Sequence, residues 1–154
     1  MLPMPTKFTL AVGCAEGTTA LNAFDNALLA AGLGNLNLVR VSSILPPGAQ
    51  FVENLHIPPG SLTPTAYGYQ TSDQPGQVVA AAVAIAFSKD PTSFGVIMET
   101  EGLCTREEAE ERVRQMAVDA MAARGMELGK VWVKGVEHRV ERVGCAFAAV
   151  ALWY

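Results

Sequence analysis

Apolar residues run together or alternate along most of this chain, and helical spacing shows in only two places. "FTLAVG", residues 8–13, has the β-branched and aromatic content of a first strand, ended at Gly13. From Thr18 to Ala31 the pattern changes: Leu21, Phe24, Leu28 and Ala31 recur at three- and four-residue spacing, which is one face of a helix, with Gly32 and Gly34 as its stop signal. "LNLVRVSS", 36–43, returns to strand alternation, so the first third reads β, α, β. The middle is strand throughout: "LTPTAYGYQT", "VVAAAVAIAF" and "FGVIMETEG", separated by the turn tracts "SDQPGQ" and "SKDPTS" and read as hairpins. A second helix is predicted from Thr105 to Arg124. Thr105 and Glu108 form a capping box, acids crowd its start, and Ala109, Val113, Met116, Ala117 and Ala120 make a buried stripe of mostly small residues. "KVWVKGVEHRVERVG" and "CAFAAVALWY" complete the chain as strands. Two helices and about seven strands predict an α+β domain with helices covering mixed or antiparallel sheets.

Composition narrows the function classes. At 154 residues the chain is one domain, and its charged share of 17 % is low beside an apolar share of 50 %, which points to surface buried between subunits. Its longest apolar runs are ten residues, half of what a membrane helix needs, and the N-terminus has no secretory pattern, so a cytoplasmic protein is expected. Three widely spaced cysteines and two histidines offer neither a disulfide framework nor a metal-ligand spacing. A net charge of −4 without any basic cluster argues against nucleic acid. The glycines of "GLGNLN" lie after a helix and before a strand, the reverse of a phosphate-binding loop.

Three features lie where packing alone would not put them. Asp25 borders the apolar stripe of the first helix, either as an exposed flank or as an acid facing a pocket. Ile97, Glu99 and Glu101 share one face of their strand, so Glu99 is either a solvated strand end or a carboxylate at the edge of a buried layer, with its pKa raised. The doublet Ser42-Ser43 interrupts an apolar strand just before Pro46 and Pro47, which hold the chain extended. No histidine is marked as partner to a serine nucleophile. A strained serine hydroxyl can instead attack the carbonyl before it, and elimination then cuts the chain and leaves a pyruvoyl group.

Together, "EGTTALNAFDNALLAAGLGNLNLVRVSSILPPG", "PTAYGY", "IMETEG" and "VEHRVERVGCAFAAVALWY" make the chain resemble the pyruvoyl-dependent arginine decarboxylases from about residue 8 to its C-terminus. The resemblance implies a four-layer αββα sandwich assembled as a homotrimer, or a dimer of trimers, with active sites between subunits. It implies self-cleavage between Ser42 and Ser43 into a β chain of residues 1–42 and an α chain of 43–154 that begins with a covalent pyruvoyl group made from Ser43, with no metal and no pyridoxal phosphate. Through a Schiff base on that group, L-arginine would lose CO2 to give agmatine. Asn37 would assist at the cleavage and active site, Glu99 would be the catalytic acid and Asp25 would hold the substrate guanidinium. Leu21, Gly34, Leu36 and Ile44 would line the pocket. Two alternatives stay open: a pyruvoyl decarboxylase of another amino acid, and a non-catalytic, unprocessed trimeric scaffold. Asn37 and Ser43 are about 20 Å apart in a straight strand, so either the chain bends or a neighbouring subunit donates Asn37.

Overall fold

The computed structural model describes residues 1–154. In chain order the elements are β1 (Lys7–Glu16), α1 (Ala20–Ala30), β2 (Asn37–Arg40), β3 (Ile44–Leu45), β4 (Gln50–Phe51), β5 (Leu62–Ser72), β6 (Val78–Ser88), β7 (Gly95–Gly102), α2 (Arg106–Ala123), β8 (Leu128–Arg139) and β9 (Gly144–Trp153). One sheet has the order β2-β5-β9-β1-β4 and is mixed, because β2 on β5 and β4 on β1 are parallel. The other, β3-β7-β6-β8, is antiparallel throughout.

Side-chain alternation builds the layers. In β6 the odd positions Val79, Ala81, Val83 and Ile85 face the other sheet, while Ala80, Ala82, Ala84 and Ala86 lie under Ala109, Val113, Ala117 and Met121 of α2. In β9 Ala146, Ala148, Val150 and Leu152 face inward, and Cys145, Phe147, Ala149 and Ala151 lie under α1. Strands buried on both faces need continuous apolar runs, which accounts for "VVAAAVAIAF" and "CAFAAVALWY". The result is the expected α+β fold in four layers, αββα. Truncating Met121, which is 1 % exposed beneath α2, to alanine should cost about 2–5 kcal/mol.

Both helices are capped, the second as its capping box predicts: Thr105 Oγ1 accepts from Glu108 N at 3.2 Å, and on α1 Thr19 Oγ1 accepts from Asn22 N at 3.1 Å. The face that α1 buries differs from the expected one. Ala23, Ala27 and Leu28 are buried, Phe24 is half-buried, and Leu21 is 75 % exposed. The cause is close approach. Gly13 of β1 lies directly beneath the helix backbone at Ala27 and Ala31, leaving no room for a Cβ, so the alanine edge of α1 wins over its leucine edge. On α2, Met121 takes the buried place expected for Met116, which is half-buried.

Connections depart from the hairpin reading in one instructive place. β6 and β7 form a hairpin, but the "SDQPGQ" turn between β5 and β6 carries the chain from one sheet to the other. Likewise "LNLVRVSS" is not one strand. β2 stops at Arg40 on the edge of the mixed sheet, and β3 resumes at Ile44 on the edge of the antiparallel one. Extended chain persists only through Leu45 and Pro46, because Pro47 and Gly48, at φ 76°, then form a turn closed by Ala49 N donating to Pro46 O at 3.2 Å.

Candidate active site

The serine doublet lies in that crossing between two edge strands, where no ladder partner constrains the backbone on both sides. Ser43 adopts φ 95° and is the sole non-glycine residue with positive φ. Such a conformation costs about 1–3 kcal/mol and persists only where its surroundings hold it. Two contacts do so: the Ser43 carbonyl accepts from Ile97 N at 2.9 Å, extending the β3–β7 ladder, and its hydroxyl donates to Glu99 Oε2 at 3.2 Å. Ser43 is 6 % exposed, whereas Ser42 faces solvent.

Strand alternation delivers Glu99 to this point. Ile97 lies in the layer between the sheets, and Glu99, two residues on and opposite Val83 of β6, closes that layer at its rim. Burial raises the Glu99 carboxyl above the ordinary glutamate range. The Ser43 hydrogen bond and the charge of Arg40 pull it back in part, and Glu101 adds to the rise. Glu101 itself is exposed, and its carboxylate leans on the bare backbone of Gly68 in β5, with Oε2 2.6 Å from where a Cβ would stand. Glu99 shares a face with Ile97 as expected, and of the two readings left open for it the carboxylate at the edge of a buried layer fits this geometry.

The remaining candidates are dispersed in a single chain. Asn37 is exposed, and its Nδ2 donates to Gly60 O at 2.9 Å, away from Ser43. The bend at 41–43 exists but does not bring the two together. Asp25 is exposed on α1 and makes no hydrogen bond or ion pair within the chain. Ile44, beside Ser43, is 39 % exposed; Leu36 is half-buried; Gly34 packs under Leu29, leaving no space for a Cβ. Leu21 and Gly34 flank opposite ends of α1, whose 11 residues span about 16 Å. Leu21 also lines a hollow of about 320 Å³ with Phe24, Tyr67 and Tyr69, one helical turn from Asp25.

Sequence reasoning passed over two further groups. Arg40 donates from Nη2 to Tyr67 O at 2.7 Å and stacks its guanidinium 4.7 Å above the Tyr67 ring. An arginine inside "LVRVSS" was the available signal. The second is Glu16, at the end of β1. Its Oε1 accepts from Arg142 N at 2.7 Å and Val143 N at 3.1 Å, and its Oε2 lies 2.6 Å from His138 Nε2 and 3.2 Å from Glu141 N. No local pattern marks a pairing across more than 120 residues. No cluster of three or more His, Cys, Asp or Glu side chains gathers as a metal site would require, and no helix is long and apolar enough to cross a membrane.

The chain is similar to known proteins in sequence and in fold. In a solved pyruvoyl-dependent histidine decarboxylase, 64 % of this chain superimposes on 52 % of that one with a TM-score of 0.53 at 24 % identity, a likeness of fold. The pyruvoyl-dependent arginine decarboxylase of Methanocaldococcus jannaschii is 52 % identical over 151 residues, covering 98 % of this chain and 92 % of that one. That of Thermococcus kodakarensis is 42 % identical, covering 97 % and 96 %. The family model for pyruvoyl-dependent arginine decarboxylase matches residues 7–154. A match of that length takes in both edge strands, the serine crossing and the acid opposite it, and on it this chain belongs to the pyruvoyl-dependent arginine decarboxylase family.

Proposed function

We propose that this chain cuts itself between Ser42 and Ser43 and, as the processed enzyme, converts L-arginine to agmatine and CO2. The observation that carries the proposal is Ser43: buried, backbone-strained, and hydrogen-bonded through its hydroxyl to an acid whose pKa is raised. Its φ is a torsion about the bond from its own nitrogen, and that nitrogen leaves with the processing reaction. Cleavage therefore removes the strained torsion altogether.

The processing steps balance as follows. The Ser43 Oγ bonds to the Ser42 carbonyl carbon while the Ser42–Ser43 amide bond breaks, giving an ester and a free amine. Glu99 Oε2, already accepting from that hydroxyl, is placed to take its proton. Loss of the Ser43 α-proton breaks the Cβ–Oγ bond, leaving a carboxylate on Ser42 and a dehydroalanine at position 43. Water then replaces its nitrogen, which departs as ammonia.

The residues present suit the group so formed. The carbonyl of residue 43 is pinned by Ile97 N–H, and Glu99 lies beside the position of the Ser43 side chain. When bound to a substrate amine, a pyruvoyl group supplies the electron sink for loss of CO2. Glu99 is placed to deliver a proton to the substrate α-carbon, and its burial, which opposes ionisation, holds its carboxyl above the ordinary glutamate range. Asp25, a carboxylate with no partner in its own chain, can accept two parallel hydrogen bonds from a guanidinium. Asn37, Asp25, Leu21, Gly34, Leu36 and Ile44 are then completed as a site by a neighbouring subunit in a homotrimer or a dimer of trimers. The exposure of Leu21 at 75 %, Leu62 at 70 % and Val39 at 46 % supports an assembly that covers this side of the molecule.

Mass spectrometry of the purified protein tests the reading. A fragment spanning 43–154 with a pyruvoyl N-terminus is expected, and an intact 16.3 kDa chain that never cleaves would make it a scaffold. CO2 release should be found with arginine and be much slower with lysine, ornithine, histidine and aspartate. Release from one of the others but not from arginine would reassign the substrate. Light scattering should give three or six copies.

A further inference from the structure

The chain passes from one sheet to the other at the serine crossing, and its length limits how it can do so. Val41 N donates to Thr65 O of β5 at 3.2 Å, and Ser43 O accepts from Ile97 N of β7 at 2.9 Å. Residues 41–43 are therefore tied to the mixed sheet at one end and to the antiparallel sheet at the other. Three residues reach about 10 Å when fully extended, which is also about the usual distance between packed sheets. Ser43, at φ 95°, is not extended. A bent crossing this short can be tied at both ends only where the two sheets lie closer than usual.

They do so beside it. β5 and β7 face each other across the layer between the sheets, where Ala66 of β5 and Ile97 of β7 are both fully buried. Gly68 follows Ala66 on the same face of β5. A Cβ on Gly68 would stand 3.3 Å from the backbone oxygen of Thr100 and 2.6 Å from Glu101 Oε2. The first of these is the firmer obstacle: Glu101 is exposed and its carboxylate can swing away, whereas Thr100 O belongs to the β7 backbone, in register with Ala82 of β6. Backbone approaches backbone here with no side chain between, a circumstance that calls for glycine within a strand. Gly68 and Thr100 each come three residues after an anchor of the crossing, Thr65 and Ile97, so the close approach lies about 10 Å along the strands from it.

We propose that Gly68 is a positioning residue for self-cleavage: its bare backbone lets β7 close on β5, and the narrowed gap bends the three-residue crossing into the strained geometry at Ser43. This rests on the self-cleavage proposed above, and its test is separable from it. Cleavage of newly made chain is followed by denaturing mass. Gly68→Ala should slow it, and Gly68→Val should slow it further, by up to about 5- to 150-fold, the rate equivalent of the strain held at one such residue. Once the bond is cut no crossing remains to be bent, so kcat per pyruvoyl group should match wild type in both variants. In the uncleaved Ser43→Ala chain, hydrogen exchange at the Ile97 amide, which holds the carbonyl of residue 43, should quicken with Gly68→Val. The Val83 amide, in the middle of the same sheet, should keep its protection. Wild-type cleavage rates in both variants overturn the proposal. So does a kcat that falls in step with cleavage, which would make Gly68 a support for Glu99, or exchange that quickens equally at Ile97 and Val83, which would make it ordinary packing. Gly68→Ala serves by itself if the valine variant does not fold. If wild-type protein never cleaves, the proposed function fails, and exchange at Ile97 still decides whether Gly68 sets the crossing.

Discussion

Two glutamates at opposite places in this molecule show how one side chain is made into two devices. Glu16 is gripped by three backbone N–H groups and His138, while Glu99 has a single hydrogen bond, from Ser43. Burial pushes both carboxyls up. At Glu16 the hydrogen bonds from His138, Arg142 and Glu141, together with the imidazole charge, outweigh burial and hold the pKa down at about 2; at Glu99 burial wins. Glu99 is the deeper of the two and has one donor, Glu16 is the shallower and has four, so depth and donor number pull the pair apart in the same direction. Glu16 is a fixed anion that ties the end of β1 to the β8–β9 turn; Glu99 holds its proton more tightly than an ordinary glutamate.

This contrast can be broken most severely at its reactive end. Ser43→Ala should abolish cleavage and decarboxylation together, read by denaturing mass and CO2 release; a chain that still cuts would exclude attack by the Ser43 hydroxyl. Glu99→Gln comes next. It keeps the shape but cannot exchange a proton, so self-cleavage should slow and, in the fraction that is processed, kcat should fall by about 10²–10⁴-fold while the thermal midpoint stays near wild type. At the other carboxylate the effect should appear in stability and not in chemistry. Glu16→Gln presents an amide N–H to backbone donors and should cost about 2 kcal/mol, measured by urea unfolding, with kcat of the surviving folded enzyme little changed.

The mildest test is pH. The Glu16 carboxyl is lowered from 4.5 to about 2 on folding, so its contribution is fully present above about 4.5 and is lost as pH falls towards 2. Wild type should therefore lose stability across that window more steeply than Glu16→Gln. Parallel curves would mean that the clamp adds nothing. Glu99 should show the opposite sign in activity: its raised carboxyl keeps the proton to higher pH, so the protonated form persists above the ordinary carboxylate range.

A second contrast, between the two helices, shows how far local pattern reaches. The stripe of α2 was readable almost residue by residue, because its alanines pack on a β6 surface that is itself alanine at every other position. On α1 the same reasoning chose Leu21 and missed Ala23, because the deciding contact is with Gly13, an absence of side chain in a different element. The candidate site divides in the same way. Glu99 was legible from strand alternation and Ser43 from an interrupted apolar run, whereas Arg40 on Tyr67 and the Glu16 clamp depend on pairings between distant strands.

By itself the sequence determined most of the elements, the burial of β6 and β9, the cap of α2 and the oddity of the serine doublet, since each follows from spacing within one segment. Only the tertiary structure decided that "LNLVRVSS" ends on one sheet and begins again on another. That break depends on which edges β5 and β7 leave open. It turns Ser43 from a strand residue into a strained crossing held by Ile97 and Glu99, and long-range pairing of that kind has no signature in local periodicity.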